Sequence, residues 1–357
     1  MTSPLTTVPW VTAVRRVVSV LPVVAALPVQ STAQVAVEVP MPTVSAEYAA
    51  LRHQPSRLDD LGARAAVASL EDALRVIDDP RERFDLIYWE LAPRYAELGR
   101  YREALDALRR GQREGLVFPW REQVVPFMRD MGELDGYETF VAENDRLGDA
   151  ARVAPNTEYI VQLPDDRVPG RRYPLVVVFH GGWGSHVGLL PHWQSRALRT
   201  DAIVAYVQGS LYEGTNLHRY PVGDDTGLLT AYRQVVRDYP VDVARVVVAG
   251  QSAGGARALT LALSGSVQAS GLLLVFPTVP WRLPDAELRE ASSRGMRVAI
   301  IAGEEDWALP RQKVLSVMLD THGVPNRLVV ASGVGHDYPP DFARQIDLSL
   351  SFILDPG

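Results

Sequence analysis

A chain of 357 residues with 47% apolar and 22% charged residues is long enough for one large domain and a smaller one around real cores. A net charge of −7, with no basic stripe interleaved with aromatics, argues against nucleic acid as a partner. The absence of cysteine excludes disulfides, thiolate nucleophiles and cysteine-ligated metals, and leaves the redox compartment open.

Residues 1–44 differ from the rest. Arg15 and Arg16 precede an apolar run from Val17 to Val29, and Ser31-Thr-Ala33 ends it with small residues. That order suits a secretion signal, with a secreted or periplasmic product. The long leader before the arginines, and Pro22 and Pro28 within the run, fit an N-terminal arm of a cytoplasmic protein instead. The run is too short and broken to span a membrane, and no other segment is expected to.

Residues 45–150 are rich in Ala, Leu, Arg and Glu and predict a small all-α domain of helical hairpins. In YWELAPRYAELGRYREALDAL, the positions Tyr88, Leu91, Ala92, Tyr95, Gly99, Tyr101, Ala104 and Leu108 resemble a tetratricopeptide repeat, with Gly99 at the inter-helix turn. At an offset of 33 residues, Met131-Gly-Glu-Leu134 and Tyr137 to Val141 give a weaker echo. One or two such units cannot bury their apolar faces alone, so they are expected to pack on the next domain. A peptide groove, or a homo-oligomeric contact through these helices, is the alternative.

From 156 to 357 the pattern alternates. Apolar runs at 159–163, 174–180, 202–207, 245–249, 271–276, 297–302 and 327–331 predict strands, with helices at 225–238, 254–264, 310–321 and 339–353. This is α/β grammar: a mostly parallel sheet covered by helices on both faces. Functional groups on such sheets gather beyond the carboxyl ends of the strands.

Gly250-Gln-Ser252-Ala-Gly254 sits at one of those ends, between a buried strand and the helix it opens. A strained strand–turn–helix junction lifts a serine hydroxyl above the sheet, and its glycines admit backbone close by. An unaided serine is a weak nucleophile, so a base is required. His336, on the glycine-flanked loop Gly333-Val-Gly-His-Asp after the last strand, is the candidate. The imidazole needs a carboxylate partner; Gly303-Glu-Glu-Asp-Trp307 offers Asp306, with Glu304 and Glu305 as alternatives. The order Ser252…Asp306…His336 suits this class of sheet. Oxyanion donors are expected from the amide of Ala253 and from Gly182 or Trp183, in the glycine-rich loop Phe179-His-Gly-Gly-Trp-Gly184. His180 reads as a structural loop histidine. Trp183, Trp307 and Tyr212 are candidate substrate-binding aromatics, with core or lid packing as the alternative. His186 and His192 with Asp201 or Asp224 match no metal-site spacing, so no metal is expected.

With these residues in place, residues 156–357 resemble the α/β-hydrolase superfamily. The stretch from Asp225-Thr-Gly-Leu-Leu through Val241-Asp-Val-Ala-Arg-Val-Val-Val-Ala-Gly-Gln-Ser-Ala-Gly-Gly255 is similar to the feruloyl esterase and polyhydroxybutyrate depolymerase branch. Prolyl oligopeptidase-type and dienelactone hydrolase-type domains are similar neighbours. The resemblance implies a carboxylesterase acting on a small-molecule or oligomeric ester through an acyl-enzyme on Ser252, without metal or organic cofactor. A serine peptidase of prolyl oligopeptidase type, and a non-catalytic binding protein using the helical region, are the alternatives.

Overall fold

In the computed structural model, residues 60–120, 126–152 and 157–355 are described; the N-terminal arm or signal segment read at 1–44 lies outside them. Seven strands build the main sheet. They are β1 (Tyr159–Gln162), β2 (Tyr173–Phe179), β3 (Ile203–Val207), β6 (Val241–Gln251), β7 (Gly271–Val275), β8 (Arg297–Gly303) and β9 (Asn326–Ala331), in the order β1-β3-β2-β6-β7-β8-β9. The edge strand β1 runs antiparallel to β3, and every other pairing in this sheet is parallel. A separate antiparallel hairpin, β4 (Leu211–Gly214) and β5 (Leu217–Arg219), branches off after β3.

The central strands are apolar on both faces because helices cover both. Val177, Phe179, Val246, Val248, Leu272 and Leu274 point to one core, shared with the helices Thr226–Asp238, Ser252–Leu263 and Leu309–Thr321. Their neighbours in sequence, Val176, Val178, Val247, Ala249, Leu273 and Val275, point to the other, under the C-terminal helix Phe342–Leu354. The period of two along each strand sorts the residues between the cores. The expected mostly parallel sheet with helices on both faces is therefore what the chain forms. The sequence pattern missed the hairpin and the helix Asp285–Ser293, whose mixed polar composition carries no apolar run.

The helical segment before the sheet has its own core. A helix begins at Pro80–Asp85, passes through a π-helical turn at Leu86–Leu91 and continues as Ala92–Glu97. Asp79 caps its start by accepting from the amides of Arg81 and Glu82. Gly99 ends it with φ at 68°, where the amide of Arg100 donates to the Tyr95 carbonyl, and Tyr101–Arg113 returns antiparallel. The helix Asp60–Ala73 precedes this pair, and two further helices, Pro126–Asp130 and Tyr137–Ala151, follow it. Phe84, Tyr88 and Phe118 stack at its centre with ring centroids 5.3–6.0 Å apart, and the Tyr88 hydroxyl donates to the Pro119 carbonyl. Leu217 of β5 is buried in this same core. The hairpin thus carries the helical segment into contact with the sheet. Among the described residues no helix is long and apolar enough to cross a membrane.

Because the helical core is joined to the sheet through the hairpin, the helical segment and the sheet are expected to unfold together. Phe118→Ala should lower stability by about 3–5 kcal/mol. Urea unfolding followed by far-UV circular dichroism and by tryptophan fluorescence should give coincident single transitions; two separated transitions would show that the helical segment melts by itself.

Candidate active site

Strand β6 ends at Gln251, and the chain turns at Ser252, whose φ of 50° is one that side-chain-bearing residues seldom adopt. Such a turn persists only where its surroundings hold it. Here the glycines on either side permit the packing. A Cβ at Gly250 would stand 2.6 Å from the backbone of Gly254, and one at Gly254 would stand 2.2 Å from the His180 carbonyl oxygen. The helix that begins at Ser252 is thereby seated directly against the end of β2 and the loop that follows it.

Above this turn Ser252, His336 and Asp306 are brought together. Ser252 Oγ stands 2.9 Å from His336 Nε2, and His336 Nδ1 stands 2.8 Å from Asp306 Oδ1. Asp306 is an acceptor only, so Nδ1–H donates to it and Nε2 is left to accept from the serine. The Asp306 side chain is buried, and it also accepts from the amide of Ala308 at 2.8 Å and from Gln312 Nε2 at 2.9 Å. These donors fix the carboxylate's orientation and, with it, the plane of the imidazole. Glu304 points elsewhere: it accepts from Ser332 Oγ and from the amide of Gly333, which hold its carboxyl below the usual range. Glu305 is exposed, and the His336 Nδ1 is taken by Asp306. Of the three acids in the loop, Asp306 is therefore the one in reach of the histidine. Phe276 packs edge-on to the His336 ring at 4.9 Å, and Trp307 lies tilted over it at 5.1 Å.

The loop after β2 lies alongside. A Cβ at Gly182 would be 3.6 Å from that of Ala253, so the two amide-bearing turns abut beside Ser252. Trp183 has a φ of 59°, a second non-glycine residue in the left-handed region within this small space. His180 is fully enclosed. Its Nδ1–H donates to the Gly181 carbonyl at 2.6 Å, its Nε2 accepts from the amide of Gly209 at 2.9 Å, and its ring stacks on Tyr220. Both nitrogens are committed, and burial pushes its pKa down to about 3. His180 is thus a neutral brace for the loop.

A cavity of about 380 Å³ opens over Ser252 and His336. One wall is Gly181 to Ser185, another is Phe276 and Tyr338, and the wall contributed by the helical segment is the π-helical turn, through Leu86, Trp89 and Glu90. The wider turn of a π-helix is a feature often found at functional sites. Nothing in the sequence around Leu86-Ile-Tyr-Trp-Glu-Leu91 signals this role, which depends on facing Ser252 and His336 from far away in the chain. Asn216, at the tip of the β4–β5 hairpin, also lines the cavity and was not foreseen.

The candidate substrate-binding aromatics are distributed differently from the expectation. Trp183 lines the cavity. Trp307 is 70% exposed and lies against His336 outside the lining residues, and Tyr212 lines a separate, smaller cavity of about 50 Å³ beside the Trp183 side chain. Among the described residues no cluster of three His, Asp or Glu side chains is placed to hold a metal ion.

No family model and no curated protein matches the sequence. Among solved structures, the chain is similar to an uncharacterized protein from Bacillus cereus ATCC 10987, at 16% identity and a TM-score of 0.47, over 82% of this chain and 94% of that one. It is also similar to a Bacillus cereus carboxylesterase, at 20% identity and a TM-score of 0.45, over 55% of this chain and 94% of that one. A third likeness is to Thermogutta terrifontis esterase 2, in a form phosphorylated by paraoxon, at 19% identity and a TM-score of 0.43, over 56% of this chain and 91% of that one.

Buried His180 and His186 and half-buried His218 stand near the loop and are expected to make the fold acid-sensitive. Burial lowers the pKa of His180 to about 3, and of His186 and His218 to about 4, from an ordinary 6.5. Below about pH 6.5 the unfolded chain takes up protons that these folded histidines refuse. Their contribution is complete above that pH and is lost as the pH falls toward 4. His186→Gln should reduce the loss of unfolding free energy between about pH 7 and about pH 5 by on the order of 1–2 kcal/mol. Urea titrations at the two pH values check this, and an unchanged loss would mean that His186 is not the group responsible.

Proposed function

We propose that this protein is a serine hydrolase that cleaves carboxylic esters through an acyl-enzyme on Ser252. The supporting observation is the unbroken hydrogen-bonded chain from Ser252 Oγ through His336 to buried Asp306, opening onto a cavity.

In this reading Ser252 Oγ attacks the acyl carbon while its proton passes to His336 Nε2, a base of the kind worth about 10²–10⁴-fold in rate. Asp306 stays ionised and balances the imidazolium. The tetrahedral oxyanion accepts hydrogen bonds from the amide of Ala253 and from that of Gly182 or Trp183, each such donor worth about 10²–10³-fold. Collapse breaks the ester C–O bond, and the proton on Nε2 goes to the leaving alcohol. Water then attacks the acyl-enzyme, giving its proton to the same nitrogen, and the acid leaves as Ser252 is reprotonated. No step calls for a metal or an organic cofactor. A cavity of about 380 Å³, walled by Trp183, Phe276 and Leu86, suits small or medium acyl or aryl esters.

The test is turnover of p-nitrophenyl acetate, butyrate and octanoate by the wild type and by Ser252→Ala, with a proline p-nitroanilide peptide in parallel. Ester turnover is expected to fall by at least about 10³-fold in the variant, and a fluorophosphonate probe should label the wild type alone. Turnover of the amide but not the esters would establish a peptidase. A wild type that cleaves nothing and takes up no probe would end the catalytic reading and turn attention to the helical segment as a binding surface.

A further inference from the structure

The hairpin of β4 and β5 touches both the loop beside Ser252 and the helical segment. On the helical side, the amide of Thr215 donates to the Val117 carbonyl and Thr215 Oγ1 accepts from the amide of Val117, both at 2.9 Å, while Leu217 is buried in the helical core. On the loop side, the amide of His218 donates to the Gly184 carbonyl at 2.7 Å, and the Arg219 guanidinium lies 5.1 Å from the Trp183 ring centroid. The tip residue, Asn216, makes contacts in both directions. Its Oδ1 accepts from Ser185 Oγ at 2.5 Å, and its Nδ2 stands 3.4 Å from each carboxylate oxygen of Asp85, at the start of the π-helical turn.

We propose that Asn216 is a positioning residue that holds the loop 180–185 in register with Ser252 by linking it to the helical segment, an inference that rests on the ester-hydrolase reading above. Its backbone supports this. Asn216 has a φ of 59°, a conformation that glycine adopts at least as easily. The asparagine side chain therefore serves something beyond the turn, and what it offers is an amide that accepts on one side and donates on the other. The loop needs such an external hold, because Trp183 stands at a φ of 59° within it and a strained residue keeps its conformation only under contacts from outside. Ser185 passes the constraint on: its Oγ also accepts from the amide of Gly188 at 2.9 Å, joining the hairpin tip to the chain that leaves the loop. A shift of the loop would move the Gly182 and Trp183 amides away from the position where the oxyanion develops. Ser185 and Asn216 also line the cavity, so binding of a small ester would change as well, but less than the step that forms the oxyanion.

Two single variants and their combination test the link. Asn216→Gly keeps the turn and removes the bridge; Ser185→Ala removes its other end. Each should lower kcat for p-nitrophenyl butyrate by about tenfold to a hundredfold, a larger change than in KM. The double variant should be no slower than the slower single one, because both break one link. Fluorophosphonate labelling should slow in parallel. Unchanged kcat in Asn216→Gly, or losses that multiply in the double variant, would overturn the proposal. Should Asn216→Gly fail to fold, Ser185→Thr carries the test. It retains the hydroxyl and should keep the wild-type rate that Ser185→Ala loses, and equal loss in both would count against the link. A wild type without turnover or labelling ends the ester-hydrolase reading, and this proposal falls with it. An active wild type matched by Asn216→Gly removes the positioning role alone.

Discussion

The backbone of Gly254 lies so close to the carbonyl groups of Phe179 and His180 that a single added carbon would overlap both. That contact sets the distance between the start of the helix bearing Ser252 and the loop that follows β2. It also explains why the turn at Ser252 is strained. With Gly250 pressed against Gly254 from the strand side, little room is left for any backbone path but one with a positive φ at the serine. The two amide-bearing turns meet beside the hydroxyl because no side chain keeps them apart.

Around that contact the polar groups are held by burial. Asp306 is buried, and it receives hydrogen bonds from His336, Ala308 and Gln312 that between them use both carboxylate oxygens. A carboxylate so fixed presents one direction to the imidazole, and the imidazole presents one nitrogen to the serine. His180 follows the same logic in neutral form, its two nitrogens occupied by the backbone of Gly181 and Gly209. One histidine bridges two side chains, Ser252 and Asp306, and the other braces backbone, although both follow strands and both have glycine neighbours in the sequence.

The helical segment is part of the site as well as a neighbour to it. Its π-helical turn walls the cavity, and its core accepts Leu217 from the hairpin that grips the loop at Gly184 and Ser185. A segment attached in this way shapes the cavity over Ser252 and His336.

Much of this was legible in the chain itself. The alternation of apolar runs with amphipathic stretches determined the parallel sheet, because continuous Val-rich strands are stable only when both faces are covered. The spacing of Gly250, Ser252 and Gly254 after such a strand determined the sharp turn, since local sterics act on adjacent residues. The loops holding Asp306 and His336 each follow a strand end, where a parallel sheet gathers its loops. Other features were decided by tertiary structure alone. The choice of Asp306 over Glu304 and Glu305 depends on which side chain is buried beside Gln312, and three neighbouring acids look alike in sequence. The meeting of Asp85, Ser185 and Asn216 joins positions as much as 131 residues apart, and the exclusion of Tyr212 and Trp307 from the cavity lining follows from where their loops are carried. Periodicity reports which face of an element is covered; it carries no information about which distant element does the covering, and the far wall of this site is built from that second kind of contact.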